Sequence, residues 1–267
     1  MRIIQKNLLS ALLLGLLMMV VGGLALVSAQ ANPLDCVTAP GEPVTIATAK
    51  LYIEYNAAAD DLGVHGAFDD HGWSELCVYD PNGTLVLHVS PQSQLKDLTM
   101  AGIFFESREP ILAEFTFDNL AAVFPEGQYQ VVGTNFDGTG LVGAATFTHN
   151  VPAKPVIIAP AFAPEEEQAG DFVVSNSDLV VEWEDVTQTR DGKPVVITGY
   201  EIIVTRLENT DPHGYSLPIF DVHVPADRNR LPVPVEFLEP GTGYELEVLA
   251  LEESGNQTIA GGYFTTE

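Results

Sequence analysis

Four residues within seven positions could share a metal ion: His65, Asp69, Asp70 and His71. Imidazole nitrogens beside carboxylate oxygens suit zinc or copper. They fall on loop-like sequence with no established ligand spacing, however, and a solvated turn explains them with fewer assumptions. A second set, Glu54, Asn56, Asp60 and Asp61, offers the oxygen ligands that calcium takes, yet it matches no EF-hand loop. Asp80-Pro81-Asn82-Gly83 and Asn135-Phe136-Asp137-Gly138 look like calcium loops but are accounted for as hairpin turns. Calcium is therefore the one cofactor left open. Glu106 and Glu109, or Asp69 and Asp70, are near enough in sequence for acid–base work, but among 37 acidic residues close pairs arise by chance. There is no G-x-S-x-G elbow, P-loop or dinucleotide fingerprint. No catalytic residue is expected, and the reading is that of a non-enzyme.

Cys36 and Cys77 are the only cysteines. In an exported chain two cysteines usually pair. This bridge would close a loop of about 40 residues, worth roughly 4 kcal/mol in the chain-entropy account. Two buried free thiols are the alternative. Export itself is read from Arg2 and Lys6, the apolar run Leu8 to Leu26, and the small residues Val27-Ser28-Ala29 and Ala29-Gln30-Ala31. This is a signal peptide over 1–31, removed near Gln30 or Asn32. An uncleaved anchor competes with it, because the run is long enough to span. The expected location is periplasmic, cell-surface or extracellular, without stable membrane insertion after cleavage. The net charge of −26 repels nucleic acid and anionic membranes.

The elements that must hold these residues are strands. Residues 37–150 read as one all-β domain with seven or eight short strands. Among them are Leu51 to Tyr55, Gly63 to Phe68, Glu75 to Tyr79, Thr84 to Val89 and Ile103 to Phe105, with Ala113 to Phe117 as a further candidate. Asp69-Asp70-His71-Gly72 reads as a turn. Asp118 is expected to cap a short helix with Leu120, Val123 and Phe124 inward. Gln128 to Thr134 and Leu141 to Thr148 form a hairpin. Residues 151–164 carry four prolines and read as a stiff connector leading into a first strand. Asn82-Gly83-Thr84 and Asn256-Gln257-Thr258 are glycosylation sequons.

Residues 165–267 form the second domain. Leu179 to Trp183, Ile197 to Val204, Ile219 to Val224, Leu231 to Val235, Tyr244 to Leu251 and Gly262 to Thr266 are six strands in order. The turn Pro240-Gly241-Thr242-Gly243 runs into Tyr244, whose ring and hydroxyl suit a tyrosine corner. With Trp183, Tyr200 and Tyr244 as structural core, this set resembles a fibronectin type III domain over about residues 153–267. The resemblance implies an immunoglobulin-like sandwich used for adhesion or spacing, with the Leu231 strand at a sheet edge. Pro232 and Pro234 fit that edge, since both lack an N–H. Residues 37–150 also resemble the N-terminal β-domain of uncharacterised exported bacterial proteins, a resemblance that implies no activity.

The fold expected is all-β, two antiparallel sandwiches in tandem. The function expected is a non-catalytic adhesion, scaffold or ligand-binding module, its partner a protein or polysaccharide and not nucleic acid. One alternative is an accessory or catalytic component acting on extracellular polysaccharide, which an open cleft lined by Glu54, Asp69 and Glu106 would favour. Another is a metal-binding protein, which convergence of His65 and His71 would favour.

Overall fold

The computed structural model describes residues 36, 41–208, 213–214 and 217–267, which belong to one compact unit running from Leu34 to Glu267. The signal peptide expected over 1–31 lies outside the described residues. The structure is mostly β. Strands β1 (Val44–Thr45), β2 (Thr48–Asn56), β3 (Asp61–Tyr79), β4 (Leu85–Val89), β5 (Met100–Glu106), β6 (Gly127–Asn135) and β7 (Gly140–Phe147) make the first half. Helices α1 (Ser93–Leu98) and α2 (Phe117–Val123) interrupt them. Strands β8 (Ile157–Ala159), β9 (Val173–Val174), β10 (Val180–Trp183), β11 (Ile197–Arg206), β12 (Ile219–Pro225), β13 (Arg230–Pro232), β14 (Gly243–Glu252) and β15 (Gln257–Thr266) make the second. Among the described residues no helix is long and apolar enough to cross a membrane.

The 19-residue strand β3 organises the first half. Its start pairs with β2 and β5, and its end with β6 and β4. Register shifts between Asp69 and Trp73 mark where it leaves one sheet for the other, as strands do at the corners of a sandwich. The segment Asp69–Gly72, expected as a turn, is therefore extended strand. Between the two sheets lie Phe68, Trp73, Leu76, Tyr129, Leu141 and Phe147, all fully buried. Two other expectations change. Ala113–Thr116 is a turn leading into α2, which begins at Phe117 and is capped by Thr116, not Asp118. The Thr116 hydroxyl accepts from the Asn119 N–H while the Asn119 side chain accepts from the Thr116 N–H. Leu120 is buried but Val123 is 61% exposed, because a seven-residue helix has only one face to give the core.

In the second half β8, β10 and β13 form a three-stranded sheet against β15–β14–β11–β12. Trp183, Tyr200, Tyr244 and Phe264 fill the space between. Two tyrosine hydroxyls hold loops there. That of Tyr200 accepts from the Val186 N–H at 2.8 Å, and that of Tyr244 accepts from the Glu239 N–H at 2.8 Å. Strand β13 is an edge strand, as its proline demands. It ends at Pro232, so Val235, expected inward, is half exposed.

The proline-rich stretch is not a free spacer. Ala153 and Lys154 bond to Gln188 and Ala57, and β8 is already part of the second half's sheet. The halves also share a sheet, because β15 pairs in parallel with β2 (Gln257 with Glu54, Ile259 with Asn56). Asn256, at the turn before β15, is fully buried. Its Oδ1 accepts from the Ile53 N–H at 2.8 Å, and its Nδ2 donates to the Thr148 carbonyl at 3.0 Å. A glycan cannot attach to this sequon in the folded chain. Cys36 and Cys77 are joined, with Cα atoms 5.7 Å apart.

Candidate functional site

Alternation along the strands builds one polar sheet face. In β2, Leu51 and Ile53 enter the core, so Lys50, Tyr52 and Glu54 point the other way. Across the ladder His65 of β3 sits opposite Tyr52, and Glu106 of β5 opposite His65. On the other side Gln257 of β15 sits opposite Glu54, and its amide donates to the Glu54 carboxylate. The same parity carries Glu247 of β14, Glu201 of β11 and His223 of β12 on the face turned away from the second core. The face thus runs across seven strands and both halves.

Crowding raises the carboxyls along it. Burial, then the charges of Glu245, Glu54 and Glu201, pushes Glu247 up to about 7. Glu201 is also pushed to about 7, mainly by burial, with His223 opposing and Asp221 and Glu54 adding. Burial raises Glu54 as well, against the pull of His65 and Gln257. The Tyr52 phenol, buried and facing Glu54, Glu201 and Glu106, is held at about 12 and stays protonated.

A cleft of about 710 Å³ opens on this face where the halves meet, with Lys50, Tyr52, Glu201, His223, Ser254 and Gln257 in its lining. It offers a phenol, an imidazole, an amide and an ammonium group as hydrogen-bonding partners. Its carboxylates outnumber its one lysine, which favours neutral or cationic ligands over anions.

The four residues singled out as a metal set are not brought together. In extended strand, His65 and Asp69 are about 13 Å apart, and Asp70 points to the opposite face from both. Asp70 accepts from the Ala47 and His71 N–H groups, and His71 is exposed. Among the described residues no group of three ligand atoms within 4.8 Å includes Asp69, Asp70 or His71. His65 instead lies with Glu54 and Glu109, and a second group joins Glu201, Asp221 and His223. The oxygen-ligand candidates at the β2–β3 turn and in the hairpins bond to neighbouring groups. Asn56 accepts from the Ala58 and Ala59 N–H groups, Asp60 accepts from the Tyr55 hydroxyl, and Asp80 accepts from the Asn82 and Thr84 N–H groups in its hairpin. The cleft is not lined by Glu54, Asp69 or Glu106. Residues Glu201, His223 and Gln257 had no local signal. Only the register across β2, β15, β14, β11 and β12 joins them to Tyr52.

No family model matches the chain, and no curated protein does. Among solved structures it is similar to the chicken CNTN1 FN1-FN3 domains, with 14% identity and a TM-score of 0.32, over 86% of this chain and 69% of that one. The sandwich architecture rests on strand pairing and on the two cores.

Proposed function

We propose that this is an exported, non-catalytic binding module of two domains, 37–150 and a fibronectin type III-like 165–267, whose ligand seats in the cleft between them. The observation that carries the reading is the shared lining: Lys50 and Tyr52 come from one half, Glu201 and His223 from the other. The oxidised Cys36–Cys77 pair supports export, since disulfides persist in oxidising compartments. The second half's two facing sheets and the Tyr244 hydroxyl on the Glu239 backbone support the domain reading. A polysaccharide strand is the favoured ligand class over a peptide, because the cleft sets the Tyr52 phenol, the His223 imidazole and the Gln257 amide beside carboxyl groups, donors and acceptors that suit sugar hydroxyls.

The test is binding of the mature chain to soluble extracellular polysaccharides and to peptides, followed by calorimetry. Tyr52→Ala and His223→Ala should each weaken the interaction while the far-UV spectrum is kept. Binding that survives both substitutions, or turnover of the bound glycan, would refute the reading.

A further inference from the structure

His65 is only 5% exposed, and each of its ring nitrogens faces a carboxylate. Nε2 lies 2.8 Å from Glu109 Oε1, and Nδ1 lies 3.7 Å from Glu54 Oε2. The three residues come from β2, β3 and the loop after β5, so their meeting is tertiary. Every neighbour holds them in place. The rings of Tyr52 and Phe104 flank the imidazole at 5.4 and 5.7 Å. The Gln257 amide donates to Glu54. Glu109 lies directly over Gly63, where an added Cβ would come within 2.6 Å of Oε1. A side chain at position 63 would displace the carboxylate from His65.

The charges do not balance. Among the described residues neither Glu54 nor Glu109 forms an ion pair with a lysine or arginine. Glu106 adds a third carboxyl across the ladder from His65. A dication held between Glu54 and Glu109 would offset the crowding of these acidic groups. One ring nitrogen of His65 and one oxygen from each glutamate lie within 4.8 Å of one another, a set that a zinc-class ion can draw in as three protein ligands. Calcium would want six to eight oxygens, and this pocket offers a ring nitrogen in their place. The Glu109 side chain is 27% exposed, which gives an ion access and the outer ligand room to close.

We propose that Glu54, His65 and Glu109 bind one zinc-class divalent cation, oriented by Gln257 and made possible by Gly63. The site adjoins the cleft through Tyr52 and Gln257 but does not require the cleft's ligand. Mature chain stripped with a chelator would be titrated with Zn²⁺, and separately with Ca²⁺, by calorimetry. One saturable Zn²⁺ site is expected. Glu109→Gln and Glu54→Gln, both isosteric, should weaken it by about tenfold or more, and Gly63→Ala should do the same with all three ligands intact. Asp221→Asn should leave it unchanged. Spectra of the free protein variants establish that each is folded. Absence of a Zn²⁺ site, tighter binding of Ca²⁺, binding that persists in Glu109→Gln, or binding lost in Asp221→Asn would each overturn the assignment.

Discussion

Tyr244 shows how much one atom can hold. Its ring lies in the second core, against Phe264 and Phe237, while its hydroxyl accepts the Glu239 N–H and fixes the corner before β14. Tyr244→Phe keeps the ring and orphans that N–H, so it should cost about 1–3 kcal/mol, read as a shift in urea midpoint. A cost near zero would mean that water replaces the hydroxyl. Glu247 gives a residue-scale pH effect. Its carboxyl is raised to about 7 in the fold from an ordinary 4.5. Between those values the native state holds more proton than the unfolded chain, so stability falls as pH rises through this window. Glu247→Gln removes the penalty. The variant should gain stability over the parent above pH 7 and show little gain near pH 4. A gain independent of pH would contradict burial of the carboxylate as its cause.

At the scale of elements, β14 and β15 are held unusually close. A Cβ on Gly261 would come 2.2 Å from the Leu246 carbonyl, so Gly261→Ala must push the two strands apart. Overpacking of this kind costs about 1–3 kcal/mol, and thermal unfolding would measure it. The individual strands of both halves are legible in the sequence because alternation and turn residues are local. Tyr52, Glu54 and His65 can each be placed on a strand in that way. The bend of β3 is not legible: Asp69-Asp70-His71-Gly72 has turn composition, but Asp69 pairs with β5 and the next three residues span the register shift before Trp73. The start of β15 is hidden as well: the sequence shows the last strand at Gly262–Thr266, and pairing with β14 and β2 extends it back to Gln257. The site follows the same rule. His65, Glu54 and Glu109 each stand out by type, but in three separate groupings, because the contact between them is made by register and a loop, not by spacing.

The whole molecule is tied at one junction. Besides the β2–β15 pairing, Thr258 donates to the Pro152 carbonyl at 2.7 Å, and the Arg190 guanidinium lies 3.7 Å above the Phe117 ring. The two halves should therefore melt in a single calorimetric transition. Asn256→Leu, which strands the Ile53 N–H and the Thr148 carbonyl, should split it or lower it by several degrees. Two well-separated transitions in the parent chain would show that the junction does not couple them. Reduction of Cys36–Cys77 should lower the same single transition, not only that of the first half.

The pairing of β2 with β15 also sets an order of events during synthesis. About 200 residues separate the two strands, so β2 is made long before its neighbour. Until Gln257–Ile259 leave the ribosome, the far side of β2 is an unpaired edge with the Ile53 amide bare. Such an edge recruits other strands. Nascent chains released before residue 256 should self-associate through Glu54–Asn56, and full-length chains should not, a difference that sedimentation of the two species would reveal. Strand β15, made about 200 residues later, is then the one that keeps the first half from pairing with its own copies.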